Sequence, residues 1–140
     1  MIVSASIAAQ ENVRNRFSWK VAAELPSNQK DKPALGLAGA ISGIHHQHLI
    51  VAGGANFPQQ MPWNGGKKQY YADVYVYRIK NNQAVRIRKS IALPTPLAYA
   101  ATCSTPLGIM IAGGENESGI QLGTSIIKWD PKTENILLTE

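Results

Sequence analysis

Glu115 stands directly after a glycine pair, Gly113-Gly114, where an apolar run ends. A carboxylate leaving a strand end in this way can point to a face of the domain or into a central channel. There it is the candidate for acid–base work, which needs a positioned group able to give and take a proton; a solvated loop glutamate is the plainer alternative. Lys67 and Lys68 lie in a long loop, residues 55–72, together with Pro58, Pro62, Trp63, Gly65 and Gly66. Long loops in compact domains are often functional, and an ammonium there can pair with an anionic ligand group unless it is ordinary surface charge. Trp63 either stacks on a ligand ring or pins the loop to the sheet. Tyr99 opens a strand whose side chains can reach an axis, which makes it a further candidate ligand contact. Asn56 and Asn116 recur at matching positions after glycine pairs, and such recurrence argues for a structural turn role.

His45, His46 and His48 invite a metal reading. In a strand–turn–strand arrangement, however, adjacent His45 and His46 diverge, and no fourth ligand is near in sequence. Turn and edge positions account for them, and no metal is expected. A single cysteine, Cys103, excludes an internal disulfide and any multi-cysteine metal site. It falls in an apolar strand pattern, so a buried, inert thiol is expected. The net charge of +5 comes from 14 Lys and Arg against 9 Asp and Glu, scattered along the chain. Without a concentrated basic patch interleaved with aromatics, nucleic acid is not an expected partner. A mildly basic surface suits an acidic ligand without demonstrating one. No stretch is long and apolar enough to span a bilayer. Residues 2–10 are apolar with small residues near their end, but lack a basic n-region. Either they are a clipped signal peptide with cleavage near Ala9, implying a periplasmic or secreted protein, or they are an ordinary tail of a cytoplasmic one.

The elements that must position these side chains are announced by a repeat. Residues 36–57 and 96–117 align without a gap at seven identical positions: Leu, Ala, Ala, Ala, Gly, Gly and Asn. A β-branched run ending in paired glycines, recurring at about the period of a kelch blade, predicts an all-β, kelch-type propeller architecture. The first unit, residues 36–94, reads as strands over 36–43, 48–52, 73–79 and 84–91, with Asn81-Asn82 as a hairpin turn. The second unit, residues 95–140, reads as strands over 97–103, 109–112, 124–129 and 136–139. Its third strand ends in Trp129-Asp130-Pro131, and Tyr75 or Tyr77 takes the part of that tryptophan in the first unit. Residues 1–16 form a tail, and residues 17–35 a lone outer strand (19–23) with a linker. Propellers close with four to eight four-stranded blades. Two blades cannot bury both of their faces, so the chain is expected to be a fragment of a larger ring rather than one closing with other copies. Uncovered faces and unpaired edges predict self-association of such a fragment.

The string Gly36-Leu37-Ala38-Gly39-Ala40, the run Leu49 to Phe57 with its glycine pair, the loop Pro62-Trp63-Asn64-Gly65-Gly66-Lys67-Lys68, and Tyr71 to Val76 are more specific than bare kelch glycines. Together they resemble the cyclically permuted mutarotases, relatives of bacterial N-acetylneuraminate (sialic acid) epimerase, over residues 19–129. The resemblance implies a six-bladed parent propeller, with the strand at Trp19 closing the last blade. It also implies a sugar isomerase acting on sialic acid or a similar acid sugar. Opening a sugar ring needs one group to take the anomeric proton and another to protonate the ring oxygen, and no cofactor. The family's acid–base carboxylate and arginine align to a Gly-Glu-x-x-Pro-Gly-x-Arg stretch that does not occur in this chain; no arginine follows Glu115. A kelch module that binds another protein and a truncated product without activity are the competing readings, because fold alone does not decide function.

Overall fold

Two four-stranded antiparallel meanders pack face to face in the computed structural model, which describes residues 19–27 and 33–140. The N-terminal tail with its possible signal remnant, and part of the linker, lie outside the described residues. The first sheet comprises β1 (Ile41–His45), β2 (His48–Ala52), β5 (Asp73–Lys80) and β6 (Gln83–Ala92), in the order β1-β2-β5-β6. The second repeats it with β7 (Ala101–Thr105), β8 (Gly108–Ala112), β11 (Thr124–Asp130) and β12 (Asn135–Thr139), in the order β12-β11-β8-β7. Two short ladders sit beyond the glycine pairs: β3 (Ala55–Asn56) with β4 (Gln69–Tyr70), and β9 (Glu115–Asn116) with β10 (Gly119–Ile120). A single 3-10 turn, Pro62–Asn64, is the one helical element among the described residues.

The sheets meet through β1, which contacts β7 and β8. Ile41, Ile50, Ala52, Val74, Val76 and Ile91 of the first sheet face Ile109, Ile111, Ile127 and Trp129 of the second. Strand alternation produces this division, since positions two apart share a face. Burying a β-branched side chain of this kind contributes about 1.5–3 kcal/mol, so this seam is the main source of cohesion between the blades. Gly43 is required where the inner strand crosses the seam. A Cβ there would come within 2.8 Å of Ile109 and 2.9 Å of the Ser104 hydroxyl, and that hydroxyl accepts the Ile44 N–H at 2.9 Å.

The connections divide cleanly between the two ends. His46-Gln47 and Asn81-Asn82 have positive φ at both central residues, the left-handed pair that matches strand twist in a two-residue hairpin. The opposite end carries residues 53–72, 93–100 and 113–123, so all the long connections share one end. There the inner strands start later than the sequence suggested. Gly39 (φ 60°) and Tyr99 (φ 59°) turn the chain, so Ala38 and Ala98 pair sideways with Ala55 and Glu115 instead of extending β1 and β7.

Two further expectations are corrected. Residues 19–23 form no strand: Trp19 is 92% and Val21 80% exposed. A strand needs a neighbour's backbone groups, and the described chain offers none there; this segment is tied to the first sheet by the Tyr77 hydroxyl, which donates to the Glu24 carbonyl at 2.9 Å. Cys103 is exposed rather than buried. It lies on the side of β7 that turns away from the first sheet, and none of the described chain packs on that side. In the first blade Tyr77 is the buried aromatic, opposite Leu49 as Ile127 is opposite Ile109; Trp129 therefore sits two residues farther along the same face.

Candidate functional site

Glu115 heads β9, and the sideways bridge to Ala98 fixes its backbone. Its counterpart in the first blade is Ala55, which is fully buried. On the other side of the seam, β3 and β4 form a hairpin base for the long loop, with Ala55 opposite Tyr70 and Asn56 opposite Gln69. The loop is shaped by the 3-10 turn, which ends at left-handed Gly65 (φ 79°), and by Gly65 and Gly66 amides donating to the carbonyls of Pro62 and Met61. Lys68 and Tyr70 leave this base two residues apart, on the same side of the strand.

Across the blade boundary the three side chains converge. The Lys68 ammonium donates to Glu115 Oε1 at 2.8 Å, and the Tyr70 hydroxyl donates to the same oxygen at 2.8 Å. The ammonium also sits 4.9 Å from the Tyr99 ring centre and 5.5 Å from that of Tyr70, within the range of cation–π attraction. The Lys68 and Glu115 side chains keep about a third of their surface in water, 34% and 32%. The pair is therefore screened and serves geometry more than stability.

The electrostatics separate the protonation states. Hydrogen bonds from Lys68 and then Tyr70 hold the Glu115 carboxyl below its ordinary range, Glu115 raises the Lys68 ammonium, and the same carboxylate raises the Tyr70 phenol. At neutral pH the cluster is a carboxylate, an ammonium and a neutral phenol. A proton shuttle needs values close to the working pH. Here they are driven apart, an arrangement that suits binding and orientation of a ligand better than proton transfer.

Of the residues singled out in the sequence, Lys68, Tyr99 and Glu115 are brought together. Lys67 is exposed and lines an adjoining open depression of about 540 Å³ with Gln59, Gln60 and Glu117. Trp63 is 74% exposed on the 3-10 turn and makes none of the contacts that join the cluster. Tyr70 was missed by sequence reasoning; the signal that could have found it is its place two residues after Lys68 in a strand-like stretch. Asn56 and Asn116 do the same work in each blade, donating to the carbonyls of Gly36 and Pro96 at 3.1 and 3.3 Å.

The histidines lie at the other end, and they are more than turn and edge residues. His46 occupies the turn, and its ring does not diverge from that of His45 but lies 3.9 Å from it, while His45 and His48 are buried against the second blade. His45 Nδ1 accepts the Trp129 backbone N–H at 2.9 Å, and the His48 ring lies 5.0 Å from the Trp129 ring. His48 Nδ1 donates to the His46 carbonyl at 2.6 Å. Burial, with His46 adding to it, lowers the His45 pKa, in keeping with a ring nitrogen that accepts a bond. Among the described residues no group of three or more His, Cys, Asp or Glu is placed to hold a metal.

Comparison with known proteins matches this architecture. The family model described as N-acetylneuraminate epimerase covers residues 2–136. The N-acetylneuraminate epimerase of Brucella suis is 30% identical over 128 residues, covering 84% of this chain and 32% of the relative. That of Yersinia pestis is 33% identical over 114 residues, covering 75% and 28%. The solved structure of YjhT, a β-propeller, superposes with a TM-score of 0.60 at 24% identity, covering 84% of this chain and 33% of that one. The chain thus spans about a third of the length of these relatives. With the family model matched over nearly its whole length, the chain belongs to the N-acetylneuraminate epimerase family.

Proposed function

We propose that the chain supplies two adjacent blades of a sugar isomerase that interconverts the anomers of N-acetylneuraminate or a similar acid sugar. The observation that carries this reading, beside family membership, is the convergence of Lys68, Tyr70, Tyr99 and Glu115 across the blade boundary at the loop end. An ammonium with donors to spare, held in place by Glu115, can receive the sugar carboxylate. The neutral Tyr70 hydroxyl can hydrogen-bond a ring substituent. Glu115 acts here as the positioning partner of Lys68, because a carboxylate stabilised in its charged form by two donors is a weak base. Ring opening then needs an acid–base pair that this cluster does not provide, and the 140-residue chain alone is expected to bind sugar without accelerating exchange.

Saturation-transfer NMR on the chain tests the reading. Transfer to N-acetylneuraminate, weaker or absent for the uncharged N-acetylmannosamine and lost in Lys68→Met, is the expected result. Equal transfer to both sugars, or an unchanged response in Lys68→Met, overturns it. In a longer protein containing these blades, freshly released α-N-acetylneuraminate is expected to equilibrate faster than in buffer.

A further inference from the structure

Tyr99 holds a backbone conformation that its side chain disfavours. Its φ is 59°, in the left-handed region where a bulky residue is an outlier. The repeat shows that the conformation belongs to the position rather than to the residue: sixty residues earlier Gly39 stands in the same place with φ 60°. The first copy meets the geometry with glycine, the residue that adopts it without steric cost. The second copy places a tyrosine there.

The surroundings are built to admit that ring. The Tyr99 N–H donates to the Gly39 carbonyl at 2.8 Å, tying the two equivalent turns together across the seam. A Cβ on Gly39 would collide with Cδ1 and Cε1 of Tyr99, so the glycine of one copy leaves the space the tyrosine of the other uses. Yet the ring is not buried for packing; Tyr99 keeps 45% of its surface exposed. It faces the Lys68 ammonium, itself oriented by Glu115. Strain retained at an exposed aromatic, beside an oriented cation, is the pattern expected of a ligand contact rather than of a core residue.

We infer that Tyr99 is a ligand-contacting residue, an aromatic platform against which the apolar face of a sugar ring stacks while its anionic group reaches Lys68. This rests on the sugar-binding reading above and adds the residue that selects a ring-shaped ligand. The strained position keeps its tyrosine for binding, so stability and binding should respond to substitution in opposite directions.

The test compares Tyr99→Gly, Tyr99→Asn and Tyr99→Phe with the wild-type chain. Thermal midpoints are followed by circular dichroism, and affinities for N-acetylneuraminate and N-acetylmannosamine by saturation-transfer NMR at a temperature where each chain is folded. Tyr99→Gly and Tyr99→Asn, both tolerant of positive φ, are expected to melt no lower than wild type and to bind sugar at least tenfold more weakly. Tyr99→Phe keeps the ring face and should bind within threefold of wild type. Unchanged affinity in Tyr99→Gly or Tyr99→Asn overturns the inference whatever the midpoint, and Tyr99→Phe binding as poorly as Tyr99→Gly overturns the stacking geometry. If wild type binds only N-acetylmannosamine, with the same dependence on Tyr99, the platform stands and the acid-sugar reading falls. Transfer to neither sugar overturns both.

Discussion

Ile50 and Met110 occupy the same place in two copies of one repeat, yet Ile50 is fully buried and Met110 is 44% exposed. Gly43 and Cys103 form a second such pair. The glycine is pressed against Ile109 and Ser104, and the cysteine faces outward. Gly53 and Gly113 form a third. Both have left-handed φ, 62° and 65°, but a Cβ on Gly53 would strike the Leu97 carbonyl of the second blade, whereas on Gly113 the nearest atom is Gln121 O at 3.6 Å. The blades share their strand order. They differ in what lies on each face, so the repeat dictates the sheet while the neighbouring blade decides which positions are critical.

That contrast can be broken most forcefully in the core. Ile50→Ala should cost about 2–5 kcal/mol, and Met110→Ala, at the equivalent site, within about 0.5 kcal/mol. Urea midpoints compared at equal slope check this, and similar costs would show that the second blade's outer face is covered. The glycine pair gives a smaller version of the same test. Gly53→Ala should lose about 3 kcal/mol, because the left-handed penalty is joined by displacement of a backbone carbonyl. Gly113→Ala should lose only about 1 kcal/mol, from the conformational penalty alone.

The blade boundary also carries a pH response at its hairpin end. The pKa of His45 is lowered in the folded chain from its ordinary 6.5. Between the lowered value and 6.5 the unfolded chain binds more protons, so stability rises with pH through that window. The contribution is complete above pH 6.5 and disappears as pH falls through the folded-state value. Denaturation midpoints measured from pH 7.5 downward should decline for wild type and decline less for His45→Gln; equal slopes would remove His45 as the cause.

At the loop end the effects on stability are smallest and those on ionisation clearest. Glu115→Gln should leave the thermal midpoint nearly unmoved, since both partners are substantially solvated. It should bring the Tyr70 phenol back down toward its ordinary value, read by ultraviolet titration, because Glu115 is the first cause of its elevation. Cys103 sharpens the comparison without any substitution. Its exposed thiol should react with an aromatic disulfide reagent in the native chain at close to the rate of an unfolded one. Protection that grows with protein concentration, accompanied by faster sedimentation, would show copies of the chain associating through this face.

Much of this organisation was legible in the sequence. Strands β2, β5, β6, β8, β11 and β12 follow from alternation and turn residues, because side-chain period and glycine or asparagine turns are local properties. The late start of β1 and β7 was not legible. Nothing local distinguishes Tyr99 at positive φ from Tyr99 in a strand, and the bond its N–H makes to the Gly39 carbonyl lies across the seam, 60 residues away in the chain. Cys103 was misread for a related reason: alternation tells which side chains share a face but not whether that face meets a neighbour. Within the site, Lys68, Tyr99 and Glu115 stood out as residue types, while Tyr70 was marked only by its place two residues after Lys68, and the carboxylate both residues meet lies 45 or more residues away.

The sequence alone determined the duplicated blade, its meander of four strands and the long loop that distinguishes the first copy, since these rest on periodicity and on glycine's freedom at positive φ. Only the tertiary structure decided that the loop's Lys68 meets the second copy's Glu115, that a tyrosine fills the space left by the other copy's glycine, and that one face of the second blade stands open. Those outcomes depend on contacts between residues far apart in the chain, and burial and pairing there are properties of two packed sheets rather than of either one.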